Sequence, residues 1–165
     1  MSARGRVWRF GDDVNTDLII PGKYLDSYDP AHLAAHAMEG ANKEFASGVE
    51  KGDFIVAGSN FGCGSSREQA VIALKRAGVA AIVAKSFARI FYRNAINLGL
   101  PVVISTVAVD SLAEGDVVTF DIAASSLTSE SSSKTVMFEP IPQHAKRILD
   151  SGGLIPYIKG KLRNG

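Results

Sequence analysis

Three short apolar runs, Phe54 to Ala57, Val79 to Ala84 and Val102 to Ile104, constrain the fold more than any other feature of this chain. Val79 to Ala84 is a continuous stretch of small apolar residues, the signature of a strand buried on both faces. The segments between the runs repeat at helical spacing instead. Ala70, Val71, Leu74 and Ala77 share one face of a helix expected over Glu68 to Ala77, closed by Gly78. Phe87, Ile90, Phe91, Ala95 and Leu98 recur in the next helix, which Ser86 can cap and Gly99 ends. A strand–helix–strand–helix–strand order calls for parallel strands joined by right-handed crossovers.

The flanks add to this core. Residues 6–10 read as a first strand, and Asp12 to Pro21 as a segment that turns from polar to apolar. Asp29-Pro30 opens a helix expected over Ala31 to Glu39, stopped by Gly40. After Thr106 the pattern changes: Leu112 to Asp116 reads as a turn, and Val117 to Ile122 and Lys134 to Phe138 alternate as strands. Ser125 to Ser133 reads as a flexible hairpin tip. A last helix is expected over Gln143 to Leu149, ended by Gly152-Gly153. The expected fold class is α/β, a parallel core with an added antiparallel β-layer, in one domain over residues 1–165. No internal repeat or long linker interrupts it.

Bulk properties exclude several function classes. A net charge of +1 argues for neither nucleic acid nor a membrane surface as partner. No apolar stretch approaches the length of a membrane span, and Met1 to Arg6 lacks the apolar core of a secretory signal. Cys63 is the only cysteine, so neither a disulfide framework nor an iron–sulfur ligand set can come from this chain. These features read as a cytoplasmic protein.

The chemistry concentrates in Gly58-Ser59-Asn60-Phe61-Gly62-Cys63-Gly64-Ser65-Ser66-Arg67-Glu68, a glycine-rich turn between a strand and a helix. Its glycines let backbone approach a ligand closely. Ser65 and Glu68 have capping-box spacing, which predicts a helix start at or just after Ser65. Two hydroxyls and a guanidinium then stand at a helix N-terminus, which favours an anion. A Walker loop is excluded because no Lys-Ser or Lys-Thr follows the last glycine. The dinucleotide fingerprint fails as well, because Arg67 occupies the place of its third glycine. A purely structural capped turn is the bland alternative, but Arg67 beside two serines exceeds what a cap needs.

Other candidates favour ordinary roles. Asp12, Asp13 and Asp17 read as a loop with an Asx-turn rather than a metal site. His32 and His36 lie four apart without a third ligand, and His144 stands alone. Cys63 lies beside Arg67, but no histidine in its segment supports a nucleophile. Lys85, Arg89 and Arg93 read as a solvated or partner-facing helix side.

Three segments together resemble a known family. They are Gly11 to Leu25 (GDDVNTDLIIPGKYL), Gly58 to Ala70, and Ala84 to Pro101 (AKSFARIFYRNAINLGLP). The chain is similar to small subunits of 3-isopropylmalate dehydratase in the aconitase superfamily, over residues 6 to about 158. The resemblance implies a swivelling β/β/α domain that closes over a large subunit carrying a 4Fe–4S cluster, with no cofactor or metal held by this chain. The substrate implied is a small hydroxy-dicarboxylate. Ser65 corresponds to the family's serine base, and Ser66 and Arg67 to contacts with substrate carboxylates. Tyr24, Leu25 and Asp26 fall in the loop that sorts substrates. There the homoaconitase type carries an arginine and the isopropylmalate type an apolar residue, and Asp26 is neither. Asn15 stands where many relatives carry aspartate, and Gln69 where aconitases carry histidine. The implied activity is isomerisation of isopropylmalate in leucine biosynthesis. A homoaconitase or methylated-malate dehydratase small subunit and a stand-alone anion-binding regulatory module are the alternatives.

Overall fold

The computed structural model describes residues 2–164. Its centre is a seven-stranded mixed sheet: β1 (Ser2–Arg9), β2 (Phe54–Ala57), β3 (Ala81–Ala84), β4 (Val102–Ile104), β5 (Val117–Asp121), β6 (Ser126–Ser129) and β7 (Thr135–Met137), in the order β4-β3-β2-β1-β5-β6-β7. β1 to β4 run parallel to one another, while β5 pairs antiparallel with β1, β6 with β5 and β7 with β6. β1 joins the two halves: Ser2 to Arg6 pair with β5, and Val7 to Arg9 pair with β2. The expected α/β class and the added antiparallel strands are both present, the latter extending the sheet edge to edge through β1.

Burial explains the assignment. Every residue of β2 and β3 is buried, as helices on both faces require. β5 and β6 alternate between buried and more exposed positions. The crossover helices are α4 (Glu68–Ala77) and α5 (Arg89–Asn97). α4 presents Ala70, Val71, Ala73 and Leu74 to the core, carries Glu68 in its first turn, and has Lys75 and Arg76 in its last, charges that suit the helix dipole.

Several boundaries differ from the sequence reading. The first strand begins at Ser2 because β5 supplies a partner for residues 2–6. Residues 79–80 precede β3 rather than belong to it. The segment after Asn15 forms a short helix, α1 (Thr16–Ile19), capped by the Asn15 side chain, which accepts the Leu18 N–H at 2.9 Å. The helix opened by Pro30, α2, is only Pro30–Ala34. It stops early because Met38 takes a left-handed conformation and donates its N–H to the Ile19 carbonyl, while Gly40 donates to Leu18. The helix α3 (Phe45–Gly48) also escaped the sequence reading.

Ser125 to Ser133 is not a free tip. Ser126–Ser129 is a strand, and Ser125 and Ser129 are buried. Two further helices were unforeseen. α6 (Thr106–Ser111) is capped by the Ser105 hydroxyl, and its β-branched residues hide it from propensity. α8 (Leu154–Asn164) follows α7 (Gln143–Asp150); its Pro156 sits in the first turn, where no N–H is needed.

Candidate active site

The loops after the C-terminal ends of β1, β2 and β3 meet at one end of the parallel half, the usual place for ligand sites in such sheets. The β1–β2 pairing continues past the strands as a chain of backbone bonds. Phe10 donates to Val56, Gly58 to Gly11, Asp13 to Ser59, Gly62 to Val14 and Thr16 to Cys63, at 2.7–3.0 Å. On the other side Lys85 donates to Gly58, Phe61 to Ser86 and Ala88 to Phe61, at 2.9–3.1 Å. The glycine turn is thus clamped between two neighbouring loops. Gly58 is required because a Cβ there would overlap the Asp12 carboxylate, which accepts the Ser59 N–H. Gly62 has φ +84° and packs against the Phe91 ring.

Beyond Cys63 the turn opens onto a pocket of about 200 Å³. Thr16, Gly62, Gly64, Ser66 and Arg67 line one side, and Ala88 to Phe91 and Asn94 line the other. Ser66 and Arg67 are therefore brought together. Ser65 is exposed between two lining residues, and its hydroxyl has no hydrogen-bond partner among the described residues. Arg67 is half-buried, with Nη1 3.3 Å from Asp17 Oδ1. The same oxygen accepts the Gly22 N–H at 3.0 Å. The Asp17 carboxylate therefore fixes the guanidinium and the start of the next loop together, leaving other Arg67 N–H groups for an anion.

The capping box is not formed. α4 begins at Glu68 with Arg67 in the N-cap position and no side-chain cap bond. Ser65 lies two residues outside the cap, so its hydroxyl is not committed to the helix. Ser86 likewise does not cap α5, whose N-cap is Ala88; its Oγ accepts the Asn60 N–H at 2.7 Å instead. Ile90, expected on the apolar face of α5, is exposed at the pocket.

The loop of Tyr24, Leu25 and Asp26, expected to sort substrates, lies beside this pocket without lining it. α2 packs against α4, and buried Gln69 of α4 donates to the Leu25 carbonyl at 3.4 Å. Tyr24 turns toward the segment after α2: its ring stacks on His36 at 3.8 Å, and its hydroxyl donates to Glu39 at 3.1 Å. His36 Nδ1 lies 2.9 Å from the same carboxylate. Partial desolvation pulls the Glu39 carboxyl up, but the bonds from Tyr24 and His36 and the nearby charge of Lys23 hold it below the ordinary carboxylate range. His32 stands edge-on to both rings, 5.8 Å from Tyr24 and 5.1 Å from His36, so the two histidines pack with Tyr24. Asp26 is exposed, and it is Asp29 that caps α2.

Thr16, Arg89 and Asn94 escaped the sequence reading as pocket residues, and Asp17 as the partner of Arg67. Thr16 and Asp17 lie 49 and 50 residues from their hydrogen-bond partners, Ser65 and Arg67. Only the resemblance, which placed both loops in one family pattern, hinted at their meeting.

Comparison with known proteins identifies this parallel half, with its serine–arginine pocket, as part of an aconitase-type domain. The aconitase C-terminal domain family matches residues 36–106. The methanogen homoaconitase small subunit of Methanothermobacter thermautotrophicus is 56% identical over 98% of this chain and 94% of its own length. The 3-isopropylmalate dehydratase small subunit of Wolinella succinogenes is 50% identical over 98% and 96%. The crystal structure of 3-isopropylmalate dehydratase from Methanocaldococcus jannaschii superposes with a TM-score of 0.93 at 50% identity, covering 98% of this chain and 95% of that one. The chain belongs to the family of 3-isopropylmalate dehydratase small subunits, aconitase-type hydro-lyases that act with a large subunit. No helix among the described residues is long and apolar enough to cross a membrane.

Proposed function

We propose that this chain, a single swivelling domain over residues 1–165, is the lid of a two-subunit cytoplasmic hydro-lyase that interconverts 2-isopropylmalate and 3-isopropylmalate by dehydration and rehydration. The observation that carries the reading is the convergence of Ser66 and Arg67 on one pocket, with the uncommitted Ser65 hydroxyl between two lining residues. Ser65 removes the proton from the carbon next to a substrate carboxylate. A serine does this only if its alkoxide is stabilised, and Arg67 at the start of α4 supplies that field. Arg67 and Ser66 hold a carboxylate and so orient the carbon toward Ser65. Tyr24, Leu25 and Asp26 stand beside this site as the substrate-sorting loop.

A 4Fe–4S cluster does not fit this chain. Cys63 is its one cysteine, and no group of three His, Cys, Asp or Glu residues that could hold a metal occurs among the described residues. The Lewis acid that withdraws the substrate hydroxyl belongs to the large subunit's cluster in this reading. The 56% identity to a homoaconitase small subunit favours a second reading, in which the substrate carries a third carboxylate.

The test is to assay the purified chain alone and after mixing with its cluster-bearing large subunit. The isolated chain is expected to be colourless, iron-free and inactive, and the mixture active on isopropylmalate. Stoichiometric cluster iron or appreciable turnover from the chain alone overturns the two-subunit assignment.

A further inference from the structure

The backbone bonds that clamp the glycine turn stop just before its reactive end. Up to Cys63, neighbouring loops on both sides hold it. From Gly64 to Ser66 the backbone makes one hydrogen bond to another segment among the described residues: Thr16 Oγ1 donates to the Ser65 carbonyl at 2.8 Å. No other backbone hydrogen bond ties the stretch to a neighbouring segment among the described residues. Gly64, at φ +91°, is a permissive residue immediately before Ser65, and Ser65 and Ser66 are exposed. Thr16 itself cannot wander. It is only 3% exposed, begins α1 after the Asn15 cap, and donates its N–H to the Cys63 carbonyl at 2.9 Å. The same residue thus grips the turn twice, two residues apart, and it borders the pocket.

We propose that Thr16 is a positioning residue for catalysis: its buried hydroxyl fixes the Ser65 carbonyl and so sets where the Ser65 Oγ stands. This rests on the assignment of Ser65 as base. The physical need is plain. A base must lie within hydrogen-bond reach of the proton it takes, and small misplacements cost large factors in rate. Without Thr16 Oγ1, Ser65 has no backbone tie and the Oγ spreads over several positions. Ser65 is an exposed residue whose carbonyl can then bond to water instead, so the main loss is in placement rather than in folding.

Thr16→Val removes the hydroxyl at nearly constant shape, and Thr16→Ser keeps it. In the complex reconstituted with the large subunit, Thr16→Val is expected to lower kcat by about 10-fold or more with KM within about twofold, because only the reacting geometry is disturbed. Thr16→Ser should restore most of that loss. Amide exchange over residues 64–67 in the same complex should accelerate in Thr16→Val and stay near wild type in Thr16→Ser. Added to Ser65→Ala, Thr16→Val should cost nothing further, since the group it positions is gone. A Thr16→Val enzyme with near-normal kcat, or equal losses in the Val and Ser variants, overturns the proposal. Near-normal kcat in Ser65→Ala overturns the base assignment instead. A crippled Ser65→Ala beside an unaffected Thr16→Val overturns the Thr16 proposal alone.

Discussion

The two halves of the sheet use the same backbone geometry for different ends. In the parallel half, β2 and β3 are buried on both faces, and the loops leaving β1, β2 and β3 come together to build the pocket. In the antiparallel half, β5 to β7 are joined by turns and contribute no residue to that pocket. Parallel strands all exit at the same end of the sheet, so three consecutive exits lie side by side. Antiparallel strands alternate their exits and disperse them. β1 belongs to both halves and carries the register from one to the other. The contrast predicts that damage to the antiparallel half lowers stability and leaves the chemistry alone, while damage to the loop edge does the reverse.

The largest expected effect breaks stability alone. Phe120 of β5 is fully buried, edge-on to Phe54 at 5.9 Å and stacked on Phe138 at 5.8 Å. Phe120→Ala should destabilise the chain by about 3–5 kcal/mol in urea unfolding, through lost burial and the cavity left behind. The fraction that stays folded should keep its KM and kcat in the complex. A changed KM would show that the halves are coupled through β1.

Next in size is Ser65→Ala, which should do the opposite. Losing the base should lower kcat at least about 100-fold, equivalent to roughly 2.7 kcal/mol of barrier. Because the Ser65 hydroxyl caps nothing and is exposed, unfolding should shift by no more than about 0.5 kcal/mol. Circular dichroism melts and turnover in the complex check both. A loss of about 1 kcal/mol or more, the size of a helix cap, would mean that Ser65 supports α4 after all.

The same contrast governs what the sequence disclosed. Phe54–Ala57, Glu68–Ala77 and Val102–Ile104 coincide with their predicted bounds: the first is buried throughout, Gly78 marks the helix end, and the last is an unbroken apolar run that follows Pro101. β6 was hidden, because Ser126 to Ser129 form a strand through partners in β5 and β7 that local composition does not reveal. α2 was overextended because its early stop comes from bonds between residues 38–40 and residues 18–19. At the site, Ser66 and Arg67 were legible as one motif in one turn. The tie from Thr16 to Ser65 and the pairing of Arg67 with Asp17 were not, since each joins loops about fifty residues apart. Contacts of that kind follow from strand order, which only the folded sheet fixes.

The smallest expected effect tests where the loop edge ends. Asp26 lies on the exposed part of the 22–28 loop, and the structure removes one ordinary role for it, since Asp29 caps α2. Tyr24 is committed to His36 and Glu39, and the Leu25 carbonyl to Gln69. Asp26 and the exposed Tyr28 are left to face a partner or a substrate. If Asp26 faces the variable end of the substrate, its charge disfavours a third carboxylate relative to an alkyl group. The reconstituted wild type should then prefer isopropylmalate to homoaconitate in kcat/KM. Asp26→Arg should shift that ratio toward the tricarboxylate by about 10-fold, the scale of one exchanged charge contact, with unfolding nearly unchanged. A wild type that prefers homoaconitate would favour the second reading of the substrate. A ratio indifferent to Asp26→Arg would place the boundary of the functional edge at Arg67 and Asp17, with the 22–28 loop serving only to hold Tyr24 against His36 and Glu39.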